Sequence, residues 1–190
     1  MSDAAAEAIR IAADAVGALV GRSTEPIARA IDLILSSTGR VTVTGLGKSG
    51  LVGAKIAATL SSTGTPAAFV HAADALHGDA GFVQDGDVVI AISNSGETAE
   101  VCRFVELVQP GARVIAITGC GGGSTLARLA DVSIDAGVER ECDPNDQAPT
   151  ASTTVTLVLG DALAVGLLSA RGFTREDFKK RHPGGALGTR

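Results

Sequence analysis

The sequence predicts an α/β protein with a doubly wound, five-stranded parallel sheet flanked by helices. Five short segments are rich in Val and Ile and show little polar alternation, which is typical of strands buried on both faces. Segments with helical periodicity separate most of these strands, and such crossovers join parallel strands through right-handed connections. Ligands of such sheets bind beyond the carboxyl ends of the strands, so we expect the functional site there.

The first half of the chain supplies three strands. Helical periodicity covers residues 4–20 and about 26–36, ahead of the first strand, "RVTVTG". "KSGLVGAKIAATLSSTG" follows as a helix that Gly64 closes. The second strand is "PAAFV" and the third is "DVVIAIS". "GETAEVCRFVELVQ" then predicts an amphipathic helix, which Pro110 and Gly111 end.

The second half completes the sheet. "RVIAIT" predicts the fourth strand, "STLARLA" a short helix, and "DVSIDA" a fifth, weaker strand. Residues 138–150 form a polar loop that contains two prolines. A long apolar helix is predicted at about 152–170, and a short helix, "TREDFKK", follows with Thr174 placed to cap it. No linker or repeat divides the sequence, so we expect a single domain over residues 1–190.

Composition limits the classes of function. Of the 190 residues, 45% are apolar and 19% are charged, which is the balance of a compact soluble domain. The net charge of -5 and the absence of a basic block argue against a nucleic-acid partner. The three cysteines lack metal-ligand spacing and indicate reduced thiols in a cytoplasmic protein. We expect no membrane partner, because the start lacks a signal peptide's basic residues and "TLVLGDALAVGLL" is too short to span a bilayer.

The loop "GLGKSG" (45–50) follows a strand and opens a helix, so it matches the dinucleotide-binding pattern G-x-G-x-x-G. That interpretation fits poorly, because the second strand lacks a terminal acid for the ribose and Lys48 would crowd a pyrophosphate. A Walker A loop is excluded, since Thr42 occupies the position of its first glycine. The simpler interpretation is one small anion at the helix N-terminus, bound by the Ser49 hydroxyl and the Lys48 charge. The alternative is an ordinary tight turn with a solvated lysine.

The loop "SNSGET" (93–98) repeats this arrangement after the third strand. Ser93, Ser95 and Thr98 offer hydroxyls, and Gly96 lets the backbone approach a ligand. Such a set suits a phosphate monoester, whose three oxygens need many donors. N-capping by Ser95 is the alternative, but it accounts for one serine only. The predicted substrate-binding and phosphate-binding residues of the two loops are Gly47, Ser49, Ser93, Asn94, Ser95, Glu97 and Thr98.

Titratable residues near these loops are candidates for proton transfer. Glu97 and Glu100 share a face at the start of one helix, where either could act as a base or remain a solvated acid. His77 in "LHGD" and His182 in "HPGG" lie in glycine-bearing segments, where histidine often transfers protons, and packing is the alternative for each. His71 is expected to pack. A metal site of His77, His182 and Glu100 has no supporting ligand spacing, so we expect neither a metal nor an organic cofactor.

Six motifs occur in a fixed order along the chain: "TGLGKSG", "STGTP", "FVHAADALHGD", "VVIAISNSGET", "DALAVGLL" and "FKKRHPGGALG". Together they resemble the sugar isomerase (SIS) domain, and more closely arabinose-5-phosphate isomerases of the KpsF/GutQ type. The resemblance runs from about residue 5 to the last residue. It implies the SIS fold, a flavodoxin-like three-layer sandwich. It also implies the reversible isomerisation of D-ribulose 5-phosphate to D-arabinose 5-phosphate through a cis-enediol.

The resemblance implies catalytic roles for Lys48, His77, Glu100 and His182. Glu100 would move a proton between C1 and C2, and Lys48 would stabilise the negative oxygen of the intermediate. His77 or His182 would open the sugar ring or move the proton between O1 and O2. Members of the family are typically homotetramers with shared active sites, so we expect the same assembly here.

Two departures from the family pattern affect these expectations. Family enzymes often continue after "HPGGALG" into a pair of CBS domains, whereas this sequence stops at Arg190. It is either a naturally short form with the SIS domain alone or a truncated form, so regulation through CBS domains is not expected. The family's "APTSST" reads "APTAST" here, and Ala151 is expected to remove a hydroxyl near the site. The rival functions are an isomerase of a hexulose 6-phosphate or of sedoheptulose 7-phosphate, and a non-catalytic sugar-phosphate sensor. A sensor does not need Lys48, Glu100 and His182 together.

Overall fold

The chain folds around a five-stranded, all-parallel sheet with the strand order β2-β1-β3-β4-β5. The computed structural model describes residues 2–184. The strands are β1 (Val41–Gly45), β2 (Ala67–His71), β3 (Val88–Ile92), β4 (Arg113–Thr118) and β5 (Val132–Asp135). This is the strand order of flavodoxin-like doubly wound proteins. The fold class predicted from the sequence is therefore confirmed.

Helices cover both faces of the sheet. Within residues 2–184 they are α1 (Ser2–Gly17), α2 (Leu19–Ser36), α3 (Gly47–Ser62), α4 (Ala72–Ala75), α5 (Ala99–Val108), α6 (Thr125–Leu129), α7 (Ala151–Ala170) and α8 (Arg175–Arg181). Two 3₁₀ turns lie at Asp79–Phe82 and Gly121–Gly123. The sequence did not predict α4 or these turns. The predicted cap of α8 is confirmed, because the Thr174 hydroxyl accepts from the Asp177 backbone N–H at 3.2 Å.

Strand β3 shows why the strands read as continuous apolar runs. Val88, Ile90 and Ile92 pack into the core formed with α2, α3 and α7. Val89 and Ala91 point the other way and pack against α4, α5 and α6. All five side chains are at most 1% exposed, so burial favours an apolar residue at every position along the strand.

The boundary between the first two helices differs from the prediction. We expected helices at 4–20 and about 26–36, but α1 ends at Gly17 and α2 continues through Pro26. A proline inside a helix removes one backbone hydrogen bond. The helix persists because its residues are buried on both sides of the proline, from Leu19 to Ile34.

Helix α7 is longer than the apolar stretch recognised in the sequence. It has 20 residues and a mean hydropathy of 1.7, which suffice by length and composition to cross a membrane. The expectation that this segment is too short was therefore wrong. Half of its apolar stretch is buried inside the fold, where α7 contacts α1, α2 and α3. The core helix of a globular domain has the same environment.

Candidate active site

The two candidate loops meet because their strands are neighbours in the sheet. β1 pairs in parallel with β3, and Gly45 lies opposite Ile92 at their carboxyl ends. The helices that follow lie on opposite faces, since α3 packs into one core and α5 into the other. The chain therefore diverges between β1 and β3 and opens a crevice. This is the topological switch point at which doubly wound sheets bind ligands.

A cavity of about 380 Å³ lies in this crevice. Three segments form its walls: the start of α3, the loop between β3 and α5, and the start of α7. It is lined by Leu46, Lys48, Ser49, Val52, Asn94, Ser95, Thr98, Pro149, Ser152, Thr153 and Thr156. The structure thus brings Lys48 together with four of the seven predicted substrate-binding residues. It also adds a wall of hydroxyls from the start of α7, the region that the family's "APTSST" motif placed near the site.

The loop "GLGKSG" brings the first turn of α3 to the cavity. Gly47 begins the helix with a φ of 57°, a conformation that favours glycine, although its own atoms do not line the cavity. The N-cap residue is Leu46, whose apolar side chain accepts no hydrogen bond from the N–H groups in the first turn of α3. The first and last glycines of the loop, Gly45 and Gly50, pack against each other, because a Cβ on Gly50 would lie 3.1 Å from the Gly45 carbonyl oxygen. Close packing of helix on strand therefore explains the match to the dinucleotide pattern.

The hydroxyls of "SNSGET" divide into two groups. The Ser93 side chain is 2% exposed and lies behind the cavity wall, where its Oγ is 2.8 Å from Thr98 Oγ1 and accepts from the Gly96 N–H at 3.1 Å. Ser95 and Thr98 line the cavity. Ser93 therefore shapes the loop from inside, and Ser95 and Thr98 present their hydroxyls to the cavity.

Helix α5 starts later than predicted. It begins at Ala99 with Thr98 in the N-cap position, so the alternative in which Ser95 caps the helix is wrong. The Ser95 hydroxyl instead accepts from the Glu97 N–H at 3.2 Å. Gly96 delays the helix with a φ of 65°, and a Cβ there would lie 2.2 Å from Ser124 Oγ. The loop consequently has room for glycine only at its centre.

The two glutamates do not share one environment. Glu97 Oε1 accepts from the Thr125 backbone N–H at 2.8 Å, at the start of α6. This hydrogen bond, assisted by the Thr125 side chain and Arg128, lowers the pKa of Glu97. Glu97 does not line the cavity, and its substrate-binding role stays a prediction. Glu100 is half-buried in the first turn of α5, two residues after Thr98, and lies outside the cavity lining as well.

His77 and His71 both follow the second strand. His77 is exposed between α4 and the 3₁₀ turn and does not line the cavity. His71 ends β2, and its ring packs edge-on against Phe69 with the centroids 6.4 Å apart. It borders a second groove, beside the start of α3, that also touches Lys48 and Leu51. His71 therefore has the packing environment that the sequence led us to expect.

His182 lies far from the cavity of its own chain. Its ring stacks on Phe178 at 3.9 Å, at the end of α8. Helix α7 starts at the cavity and is about 30 Å long. At the far end of α7, Arg171 Nε donates to Thr65 Oγ1 at 3.2 Å. Thr65 comes just before β2, so this end of α7 lies at the amino ends of the strands, opposite the cavity. Among residues 2–184, no three His, Cys, Asp or Glu side chains are grouped to hold a metal, and His182 is not brought near His77 or Glu100.

Glu141 is a residue of the site region that the sequence did not indicate. Its carboxylate is 8% exposed and accepts from the Thr150 N–H at 2.8 Å, from the Ser152 N–H at 3.1 Å, and from both hydroxyls. Burial alone would raise the pKa of Glu141, but the hydrogen bonds from Ser152 and Thr150 outweigh it and lower the pKa. Glu141 thereby fixes the first turn of α7, which carries the hydroxyls of the third wall.

Ala151, the residue at which "APTAST" departs from the family motif, lies beside the cavity but not in its wall. Ala151 is fully buried and does not line it. The hydroxyls that α7 presents come from Ser152, Thr153 and Thr156. Ala151 therefore lies near the site, beside Ser152, but a hydroxyl at this position would not belong to the cavity wall.

Comparison with known proteins identifies the family. Residues 34–166 match the family described as the SIS domain. The chain belongs to the SIS domain family. This SIS domain is 56% identical over 178 residues to the arabinose 5-phosphate isomerase KdsD of Pseudomonas aeruginosa, an alignment that covers 93% of this chain and 54% of that protein. It is also 56% identical over 151 residues to KdsD of Escherichia coli K12, over 79% of this chain and 46% of that protein. The chain thus spans about half the length of the curated relatives it matches.

Solved structures share the fold of this SIS domain. An Escherichia coli CFT073 protein in complex with A5P superposes with a TM-score of 0.89 and 41% identity, over 93% of this chain and 94% of that one. The Vibrio vulnificus NanR protein, complexed with ManNAc-6P, superposes with a TM-score of 0.77 and 22% identity, over 92% of this chain and 64% of that one. The second likeness concerns the fold alone.

Proposed function

We propose that this SIS domain interconverts D-ribulose 5-phosphate and D-arabinose 5-phosphate. The observation that carries the proposal is the placement of Lys48 in one cavity with the hydroxyls of Ser49, Ser95 and Thr98, at the starts of two helices. Helix N-termini and hydroxyls bind a phosphate, and the lysine supplies a positive charge beside the sugar. The names of the KdsD relatives and the A5P complex of the similar structure support this choice of sugar.

The reaction needs one proton transfer between carbons and one between oxygens. A base removes a proton from C1 of the ketose, so that the C1–C2 enediol forms and the C2 carbonyl oxygen becomes negative. Lys48 stabilises that oxygen, where a positioned charge lowers the barrier most. A proton then returns to C2, and transfer from O1 to O2 completes the aldose. Glu100 is the proposed base, and His77 or His182 carries the proton between the oxygens.

An NMR assay tests the activity. Purified chain with ribulose 5-phosphate in D₂O should form arabinose 5-phosphate and should exchange the C1 proton with solvent. Thermal stabilisation by ribulose 5-phosphate without product or exchange would contradict an isomerase and would favour the sensor. Faster turnover of fructose 6-phosphate or sedoheptulose 7-phosphate would favour the other isomerases.

We also propose that the chain acts as a cytoplasmic homotetramer whose active sites are completed by neighbouring subunits. The position of His182 supports sharing, because α7 separates this residue from the cavity of its own chain. Exposed apolar side chains on α1, α2 and α7, namely Ile9, Val20 and Val165, are suited to contacts between subunits. The partner of the assembly is a small sugar phosphate, with no role for nucleic acid or membrane.

Mixing two inactive variants tests shared sites. We expect Lys48→Ala and His182→Ala each to be nearly inactive alone, and to regain activity when coexpressed in one assembly. With random mixing, half of the chains carry an intact Lys48 and the other half an intact His182. About a quarter of the shared sites would then combine both intact residues, so about a quarter of the wild-type kcat should return. Each variant coexpressed with a tagged copy of itself is the control. No recovery in assemblies that contain both chains would show that each site is made by one subunit.

A further inference from the structure

Helices α3 and α7 form a cleft that is widest at the carboxyl ends of the strands and narrows along the two helices. Val52 and Thr156 line the cavity about one turn beyond its rim. One further turn along, the helices touch, because a Cβ on Gly160 would lie 2.4 Å from Ile56 Cδ1. Val52 and Ile56 are four residues apart and share a face of α3, as Thr156 and Gly160 share a face of α7. Val52 and Thr156 are therefore the floor of the cavity, just above the point of closure.

The floor differs chemically from the rim. The rim carries the hydroxyls of Ser49 and Ser95, whereas Val52 is apolar. The Thr156 hydroxyl donates to the Ser152 carbonyl oxygen at 2.8 Å, so it is already used within its own helix. An ion pair of Lys55 with Asp161 joins the two helices beyond the floor and opposes any widening of the cleft.

We propose that Val52 and Thr156 set the length of the sugar phosphate that the cavity accepts, and that they favour five carbons over six or seven. The inference rests on the proposed function. The phosphate is held at the rim, and the reacting C1 and C2 are held beside Lys48. With both ends fixed, each additional CHOH group has to bulge toward the floor. There it loses hydrogen bonds to water and meets side chains that replace them poorly.

A pair of substitutions tests the floor. The double variant Val52→Ala/Thr156→Ser removes methyl groups but keeps the hydroxyl that bonds within α7. We expect the ratio of kcat/KM for fructose 6-phosphate to that for ribulose 5-phosphate to rise about 10-fold. Val52→Ile adds a methyl group and should lower the same ratio. Leu107→Ala is the matched control, because this α5 side chain is 59% exposed and lies outside the cavity.

The outcomes separate this inference from the proposed function. A ratio that stays within about twofold of wild type, in a variant with an unchanged urea midpoint, contradicts the inference. If the double variant unfolds, Val52→Ala alone is measured in the same way. If the wild-type chain isomerises no sugar phosphate, the proposed function fails. The inference is then decided by the dissociation constants of arabinose 5-phosphate and glucose 6-phosphate, whose ratio should change about 10-fold in the double variant.

Discussion

Replacing Lys48 by Met is expected to lower kcat by about 100- to 1,000-fold, as the loss of one oxyanion-stabilising group does in other enzymes. The side chain lines the cavity, and among residues 2–184 no carboxylate lies within ion-pair distance of it. Its charge is therefore not required by the fold, and we expect the free energy of unfolding to change by less than about 0.5 kcal/mol. Initial rates by NMR and urea unfolding measure the two quantities.

Lys48→Arg is the matched variant for this experiment. It keeps the positive charge but changes its shape, so kcat should lie between those of wild type and Lys48→Met. A Lys48→Met variant with near-wild-type kcat and unchanged unfolding would remove Lys48 from the proposed mechanism.

Replacing Glu141 by Ala is expected to destabilise the fold by about 3 kcal/mol. The substitution leaves the buried N–H groups of Thr150 and Ser152 without their acceptor, and each unpaired group costs about 1–3 kcal/mol. Activity should fall as well, because the first turn of α7 carries Ser152 and Thr153 into the cavity. Urea unfolding measures the change in stability, and the KM for ribulose 5-phosphate reports the cavity. Glu139→Ala, two residues earlier in the same segment, is the control.

The contribution of Glu141 to the stability of the fold is expected to decrease at low pH. The pKa of its carboxyl is lowered in the folded protein from the ordinary value of 4.5. Its stabilisation is therefore complete above about pH 4.5 and is lost as the pH falls through the folded pKa. The lowered pKa values of Asp143 and Asp177 are present in wild type and variant alike, so they cancel in the difference. A stability difference between wild type and Glu141→Ala that grew below pH 4.5 would contradict this account.

The central strands could be predicted because burial on both faces leaves a local signature in the sequence. Every residue of β3 is apolar for that reason, and the same holds for most of β4. The boundary of α2 could not be predicted, because Pro26 is a strong local signal against helix. The burial of Leu19 and Ile34 that overrides it arises only when α2 packs on the sheet.

The site was predictable only where its residues follow strands directly. Lys48 and Ser95 belong to loops whose positions are fixed by the strand ends. Glu97 has the same position in sequence, yet it bonds to Thr125 because β3 and β4 are adjacent and bring α6 close. Glu141 lies in a polar loop with other acids, and nothing local distinguishes it. Its donors are set by where α7 begins in three dimensions.

The three walls of the cavity are made at different times during synthesis. Residues 46–52 and 94–98 leave the ribosome well before residues 149–156, which form the third wall. A nascent chain that has folded only its first strands would therefore offer the two candidate loops without the opposing hydroxyls. A sugar phosphate stabilises only the state that it binds, so its effect on folding should begin once α7 has docked. Ligand binding to chains stalled at increasing lengths would thus mark the point at which the domain is complete.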